Sequence, residues 1–227
     1  LTDTVLQQRD FTDVLLGAAL PSHIIDQLRS GQSLPIAAQH KEASVLFLDL
    51  VGFTQLASSV AAATLVGVLS QVFLLKIKTL GDGYMGACGV PEWRSDHADV
   101  CLRAAAMFNR ALEQYATVSV FSLMARVGIN SGALVSGVIG ATQLTFDVWG
   151  DTVNVASRLE QCAPAGGVCI SSATKLALER SGKREYTFSS LGHKSIKGKG
   201  DMELFTVALP PLSAADLAML SGAVDES

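Results

Sequence analysis

The order in which the apolar pattern changes period constrains this chain most. Ala43–Leu50, ASVLFLDL, is a short, nearly continuous apolar run of strand length. Val51-Gly52-Phe53-Thr54 turns from it into a helical stretch over 54–73. A hairpin follows over 74–90, with Gly81-Asp82-Gly83 as its turn. Asp96–Tyr115 then has helical spacing, its stripe made of Cys101, Ala104, Phe108, Ala111, Leu112 and Tyr115. Strands over Val118–Ile129 and Ala133–Ile139, joined around Asn130-Ser131-Gly132, come next. Strand, helix, hairpin, helix, strand is the ferredoxin-like βαββαβ order. It predicts an α+β fold with helices packed on one face of a mainly antiparallel sheet.

The rest of the chain adds to that core. Asp151 can cap a helix over 152–163. A small additional αβ unit spans 168–180, and strands lie near 185–191 and 202–208. Residues 1–30 have helical spacing with a break at Pro21, and 31–39 form a loop. Three regions result: an N-terminal helix and linker (1–39) suited to dimerisation or signal transmission, a globular domain (40–209), and a partly loose tail (210–227).

One junction breaks the pattern. SQVFLLKIK runs from helix into strand with no Gly, Pro, Asn or Asp after Ser70. A crossover helix needs a connection of a few residues to return to its sheet, so a segment between Phe73 and Leu74 is expected to be missing.

With 227 residues, 49% of them apolar, the chain can bury a sizeable core. A net charge of -4 argues against a nucleic-acid binder but leaves room for a nucleotide substrate. Cys88, Cys101, Cys162 and Cys169 lie in apolar runs without C-x-x-C spacing, which suits buried, reduced thiols in a cytoplasmic protein. No apolar run reaches membrane-span length. The chain begins at Leu1 rather than Met and reads as a fragment.

Charges placed among apolar residues carry the chemistry. Alone, Asp49 fits a helix cap and Asp82 fits a turn. In the ferredoxin-like order, however, their strands are neighbours, and two facing carboxylates repel unless a cation lies between them. An all-oxygen pair suits hard divalent cations, which serve in-line displacement at phosphorus. Gly52, Phe53 and Thr54 open a helix directly after Asp49, where free N–H groups can cradle phosphate. Asn154 and Arg158 are four apart, on one helix face. They are either a solvated face or a set that stabilises charge on a transferring phosphoryl group. KSIKGKG, 194–200, is a solvated turn or a lid reaching phosphate with Lys197 or Lys199.

Taken together, FLDLVGFTQL (47–56), KIKTLGDGYMGACGVP (76–91), RVGINSG (126–132), FDVWGDTVNVASRLE (146–160) and IKGKGDMELF (196–205) resemble the class III nucleotidyl cyclases. The resemblance covers residues 43–208, and LLGAALPSHIIDQLRSGQ is similar to the helix that precedes this domain in many members. It implies that Asp49 and Asp82 bind two divalent cations, Mg²⁺ or Mn²⁺. It likewise implies that Lys78 and Asp147 read the purine, Asn154 and Arg158 act on ribose and transition state, and Lys197 reaches the phosphates. It further implies a homodimer with two shared sites, metal aspartates from one chain and the remaining residues from the other. An upstream regulatory or sensor module would precede the domain, leaving room for membrane tethering. The departure is again near residue 73, where relatives usually have roughly a dozen more residues.

Base choice follows from hydrogen-bond signs. Asp147 can accept from adenine N6 and Lys78 can donate to N1, whereas guanine meets both with the wrong sign. The expected reaction is therefore ATP to cyclic AMP and pyrophosphate, by attack of the ribose 3′-hydroxyl on the α-phosphorus. A guanylyl cyclase and a catalytically inactive nucleotide-binding regulatory domain are the alternatives.

Overall fold

The computed structural model describes residues 20–51, 75–80, 83–118, 124–139 and 144–225. The helix expected over 54–73, the Phe73–Leu74 junction, and Gly52, Phe53, Thr54 and Asp82 lie outside them, as do residues 1–19. The described elements run α1 (Ser22–Arg29), β1 (Ile36–Val51), β2 (Leu75–Leu80), β3 (Gly83–Cys88) and α2 (His97–Val118). They continue with β4 (Met124–Ile139), β5 (Thr145–Trp149), α3 (Asp151–Cys162), β6 (Val168–Ser171), α4 (Ser172–Ser181), β7 (Phe188–Ile196), β8 (Gly200–Val207) and α5 (Ala214–Asp225).

All eight strands join one sheet in the order β2-β3-β1-β4-β6-β8-β7, with β5 also paired to β4. Among the described residues only the β4–β6 pairing is parallel; the rest are antiparallel. The mixed α+β, mainly antiparallel expectation holds. Helices cover both faces rather than one, however. Leu46, Leu48 and Leu50 of β1 pack with Phe108 of α2, Leu178 of α4 and Leu220 of α5. Val45 and Phe47 point the other way, toward Ile24 and Ile25 of α1 and Val153 and Ala156 of α3. A strand apolar on both sides needs cover on both sides.

Four other expectations change. The strands read on either side of Asn130-Ser131-Gly132 are one sixteen-residue strand, β4, paired to β1 from Ile36↔Val138 to Val51↔Met124. Turn-forming side chains sit mid-strand there because buried partners satisfy them: Ser131 Oγ meets Ser44 Oγ at 2.6 Å and Asn130 Nδ2 donates to Thr152 O. β1 begins at Ile36, inside the stretch read as loop. Gly150, not Asp151, is the N-cap of α3; Asp151 is its first residue, and its carboxylate pairs with Lys199 Nζ at 2.5 Å. The tail read as loose from Pro210 contains α5. Asp216 anchors it by accepting from Ser213 N at 2.9 Å and from Arg103 Nη2 at 2.5 Å.

Three of the four free thiols are buried, and Cys162 is half-buried. Burial pushes the Cys88 thiol up to about 11 and the Cys169 thiol up to about 12, so both stay protonated. No described helix is long and apolar enough to cross a membrane.

α3 lies directly on the sheet. A Cβ added to Gly128 of β4 would stand 2.1 Å from Glu160 N and 2.4 Å from Ala156 O, both backbone atoms of α3. Glycine is required there because helix and strand backbones touch.

Candidate active site

Asp49 stands near the end of β1, directly across from Arg126 of β4. Arg126 Nη2 donates to Asp49 Oδ2 at 3.0 Å, and its Nε lies 3.4 Å from Glu160 Oε1 of α3. On the other side, Leu48 pairs with Tyr84. The pairing with β3 ends there, one residue short of Asp49. Arg126 and Glu160 were not singled out in the sequence. The readable signal was a charge inside RVGI, an otherwise apolar strand.

On the α3 face of the sheet lies a cavity of about 400 Å³. Phe47, Met85, Val148 and Val153 give it apolar walls, and Lys78, Asp147, Asn154 and Ser157 give it polar ones. Lys78 Nζ donates to Asp147 Oδ2 at 2.6 Å. The Asp147 side chain is 14% exposed, and its Oδ1 accepts from Val148 N at 2.9 Å, which fixes the carboxylate. Lys78 and Asp147 come from different strands, β2 and β5, so the tertiary fold assembles this pair. Ser157 follows Asn154 by three residues and shares its face.

Arg158 is not among the cavity-lining residues. Its Nη1 lies against the β7–β8 turn, 3.6 Å from where a Cβ on Gly198 would stand. Lys199 in that turn is engaged with Asp151, whereas Lys197 is exposed and has no ion-pair partner among the described residues. None of the four histidines lines the cavity. A larger hollow of about 670 Å³ sits under the β3–α2 connection, lined by residues 87–96, and holds none of the predicted site residues.

The structure thus brings Lys78, Asp147 and Asn154 into one cavity. It sets Arg158 beside the basic turn and Asp49 at the end of β1. Asp49 offers carboxylate oxygens, hard donors of the kind Mg²⁺ and Mn²⁺ accept, but its Oδ2 is engaged by Arg126, and no group of three His, Cys, Asp or Glu side chains that could hold a metal ion occurs among the described residues.

Residues 36–208 match the family described as the adenylate and guanylate cyclase catalytic domain. The chain belongs to this family of class III nucleotidyl cyclases. It is 36% identical over 206 residues to an adenylate cyclase of Mycobacterium tuberculosis, covering 86% of this chain and 46% of that protein. It is 31% identical over 217 residues to the soluble guanylate cyclase gcy-34 of Caenorhabditis elegans, covering 90% of this chain and 31% of the relative. Among solved structures it resembles the catalytic core of a rhodopsin-guanylyl cyclase with converted specificity in complex with ATPalphaS. That match has a TM-score of 0.66 and 30% identity, over 77% of this chain and 98% of the other. The chain therefore spans less than half the length of these two curated relatives.

Proposed function

We propose that this domain is an adenylyl cyclase, converting ATP to 3′,5′-cyclic AMP and pyrophosphate at the interface of a homodimer. The observation that carries the reading is the Lys78–Asp147 pair in the cavity shared with Asn154. Its free hydrogen-bonding directions suit adenine: Asp147 accepts from N6 and Lys78 donates to N1. A wrongly paired buried group costs about 1–3 kcal/mol, and Asp147, 14% exposed, is the partner for which that cost favours one base.

Asn154 orients the ribose, and the Arg158 guanidinium stabilises charge growing on the α-phosphoryl oxygens. Lys197, exposed on the β7–β8 turn, draws the phosphates toward Arg158. Gly52, Phe53 and Thr54 offer backbone N–H groups to the same phosphates. Asp49 and Asp82 would hold the two divalent cations, Mg²⁺ or Mn²⁺. When bound, the cations lower the pKa of the 3′-hydroxyl and neutralise charge on the leaving pyrophosphate. The protein contributes alignment and electrostatics, with no covalent intermediate. The metal aspartates act in one copy and the purine-reading and Asn154/Arg158 residues in the other, so each dimer carries two sites. An upstream regulatory segment and a cytoplasmic setting complete the reading.

The test is cyclic-nucleotide formation from ATP and from GTP, with Mg²⁺ or Mn²⁺, at several protein concentrations. Cyclic AMP should dominate, and specific activity should rise with protein concentration. Equal or greater cyclic GMP would overturn the base assignment. No product from either nucleotide would overturn catalysis.

A further inference from the structure

The segment Asn130-Ser131-Gly132 lies within a matched stretch, yet none of the site roles above uses it. Asn130 is 6% exposed, and both ends of its amide are engaged. Nδ2 donates to Thr152 O at 3.1 Å, and Oδ1 accepts from Ser171 Oγ at 2.6 Å. The amide orientation follows from the partners: a backbone carbonyl only accepts, so Nδ2 must face Thr152. Ser171 is itself tied to Thr174, whose hydroxyl donates to Ile129 O at 3.1 Å. Thr152 is held a second time, because its Oγ1 donates to Ala133 O at 2.6 Å. Thr152 is the second residue of α3, two before Asn154 and six before Arg158.

The first turn of α3 lacks a side-chain cap at Gly150. Its attachment there comes instead from β4, through Asn130 and Ala133. We infer that Asn130, acting with Thr152, is a positioning residue: it fixes the start of α3 so that Asn154 and Arg158 meet the nucleotide at the right height and rotation. Neither residue touches substrate. The inference rests on the cyclase reading. Its physical basis is that small displacements of transition-state groups cost far more in turnover than in stability.

Asn130→Asp keeps the shape and the acceptor facing Ser171, but sets an acceptor against the Thr152 carbonyl. Thr152→Val removes the hydroxyl bond to Ala133 with little change of volume, and Thr152→Ser retains it. All are assayed beside the wild type for cyclic-nucleotide formation, with thermal melts and far-UV circular dichroism. Asn130→Asp should lower kcat by about 10- to 100-fold. Its KM for ATP should stay within about threefold of wild type. Thr152→Val should lower kcat in the same sense, and Thr152→Ser should restore it. A silent wild type would sink the cyclase reading and this inference with it. An active wild type with unchanged kcat in Asn130→Asp would overturn the inference alone. If Asn130→Asp does not fold, the Thr152 pair decides, and wild-type kcat in Thr152→Val overturns it. Loss of activity that only tracks loss of folded protein in both variants also overturns it.

Discussion

Arg158 has its guanidinium beside the Gly198 turn, while Val155, Ala156 and Leu159 carry the packing of α3. Removing the charge therefore spares the core. Arg158→Ala should lower kcat on the order of 10²–10³-fold with the thermal midpoint nearly unchanged; unaltered turnover would remove Arg158 from the mechanism. A different kind of residue effect concerns His97, which is 2% exposed, with Nδ1 2.7 Å from Ser44 Oγ. Burial lowers its affinity for a proton below the ordinary value of 6.5, more than Glu42 raises it, and Arg180 lowers it further. The unfolded chain thus binds that proton more readily than the folded one. Stability is fully present above about pH 6.5 and is lost as pH falls through the folded value. Burial also lowers His23 and His40, in the same direction. Thermal melts between about pH 7 and about pH 5 should show a falling midpoint, and His97→Gln should flatten that fall.

At the scale of elements, the contact between α3 and β4 at Gly128 is the tightest constraint on the site. A methyl group there meets helix backbone at 2.1 Å, and backbone cannot rotate away. Gly128→Ala should destabilise the domain by about 1–3 kcal/mol through overpacking. It should also shift α3 enough to depress turnover in the protein that remains folded. A melt and a kcat value equal to wild type would show that the helix yields freely. The elements also show where sequence reasoning stopped. Periodicity placed α2 and α3 near their observed bounds, whereas β7 runs to Ile196, past the strand expected near 185–191 and into KSIKGKG. It divided β4 because Asn, Ser and Gly are turn residues, and nothing local records that Ser44, Thr152 and Ser171 satisfy them across the fold. α5 does carry a local signal, the Ser213-x-x-Asp216 capping box, and Arg103, more than a hundred residues earlier, holds the same carboxylate.

For the whole molecule, the expected division of labour between two copies has a direct consequence. Asp49→Ala and Arg158→Ala, each strongly impaired alone, should recover part of the activity when mixed, because one of the two hybrid sites has every residue intact. Confirmed mixed dimers without recovery would argue against a shared site. Lys78, Asp147, Asp49 and Arg158 stand out in the sequence as charges near apolar runs, and the family resemblance implies roles for them. The sequence could not show that Lys78 and Asp147, on β2 and β5, share an ion pair, or that Asp49 is held by Arg126. Both depend on which strands become neighbours.

The changing edge partner of β4 has a mechanical consequence for α3. β5 pairs with β4 up to Val135↔Trp149, and β6 begins pairing at Val127↔Val168. Those two points on β4 are about 26 Å apart at strand rise. The twelve-residue α3 supplies about 18 Å of the return at helical rise, and residues 163–167 supply the rest. α3 thus returns along β4, against its direction, between two anchorages on that one strand, so a displacement of β4 moves both points to which the helix is tied.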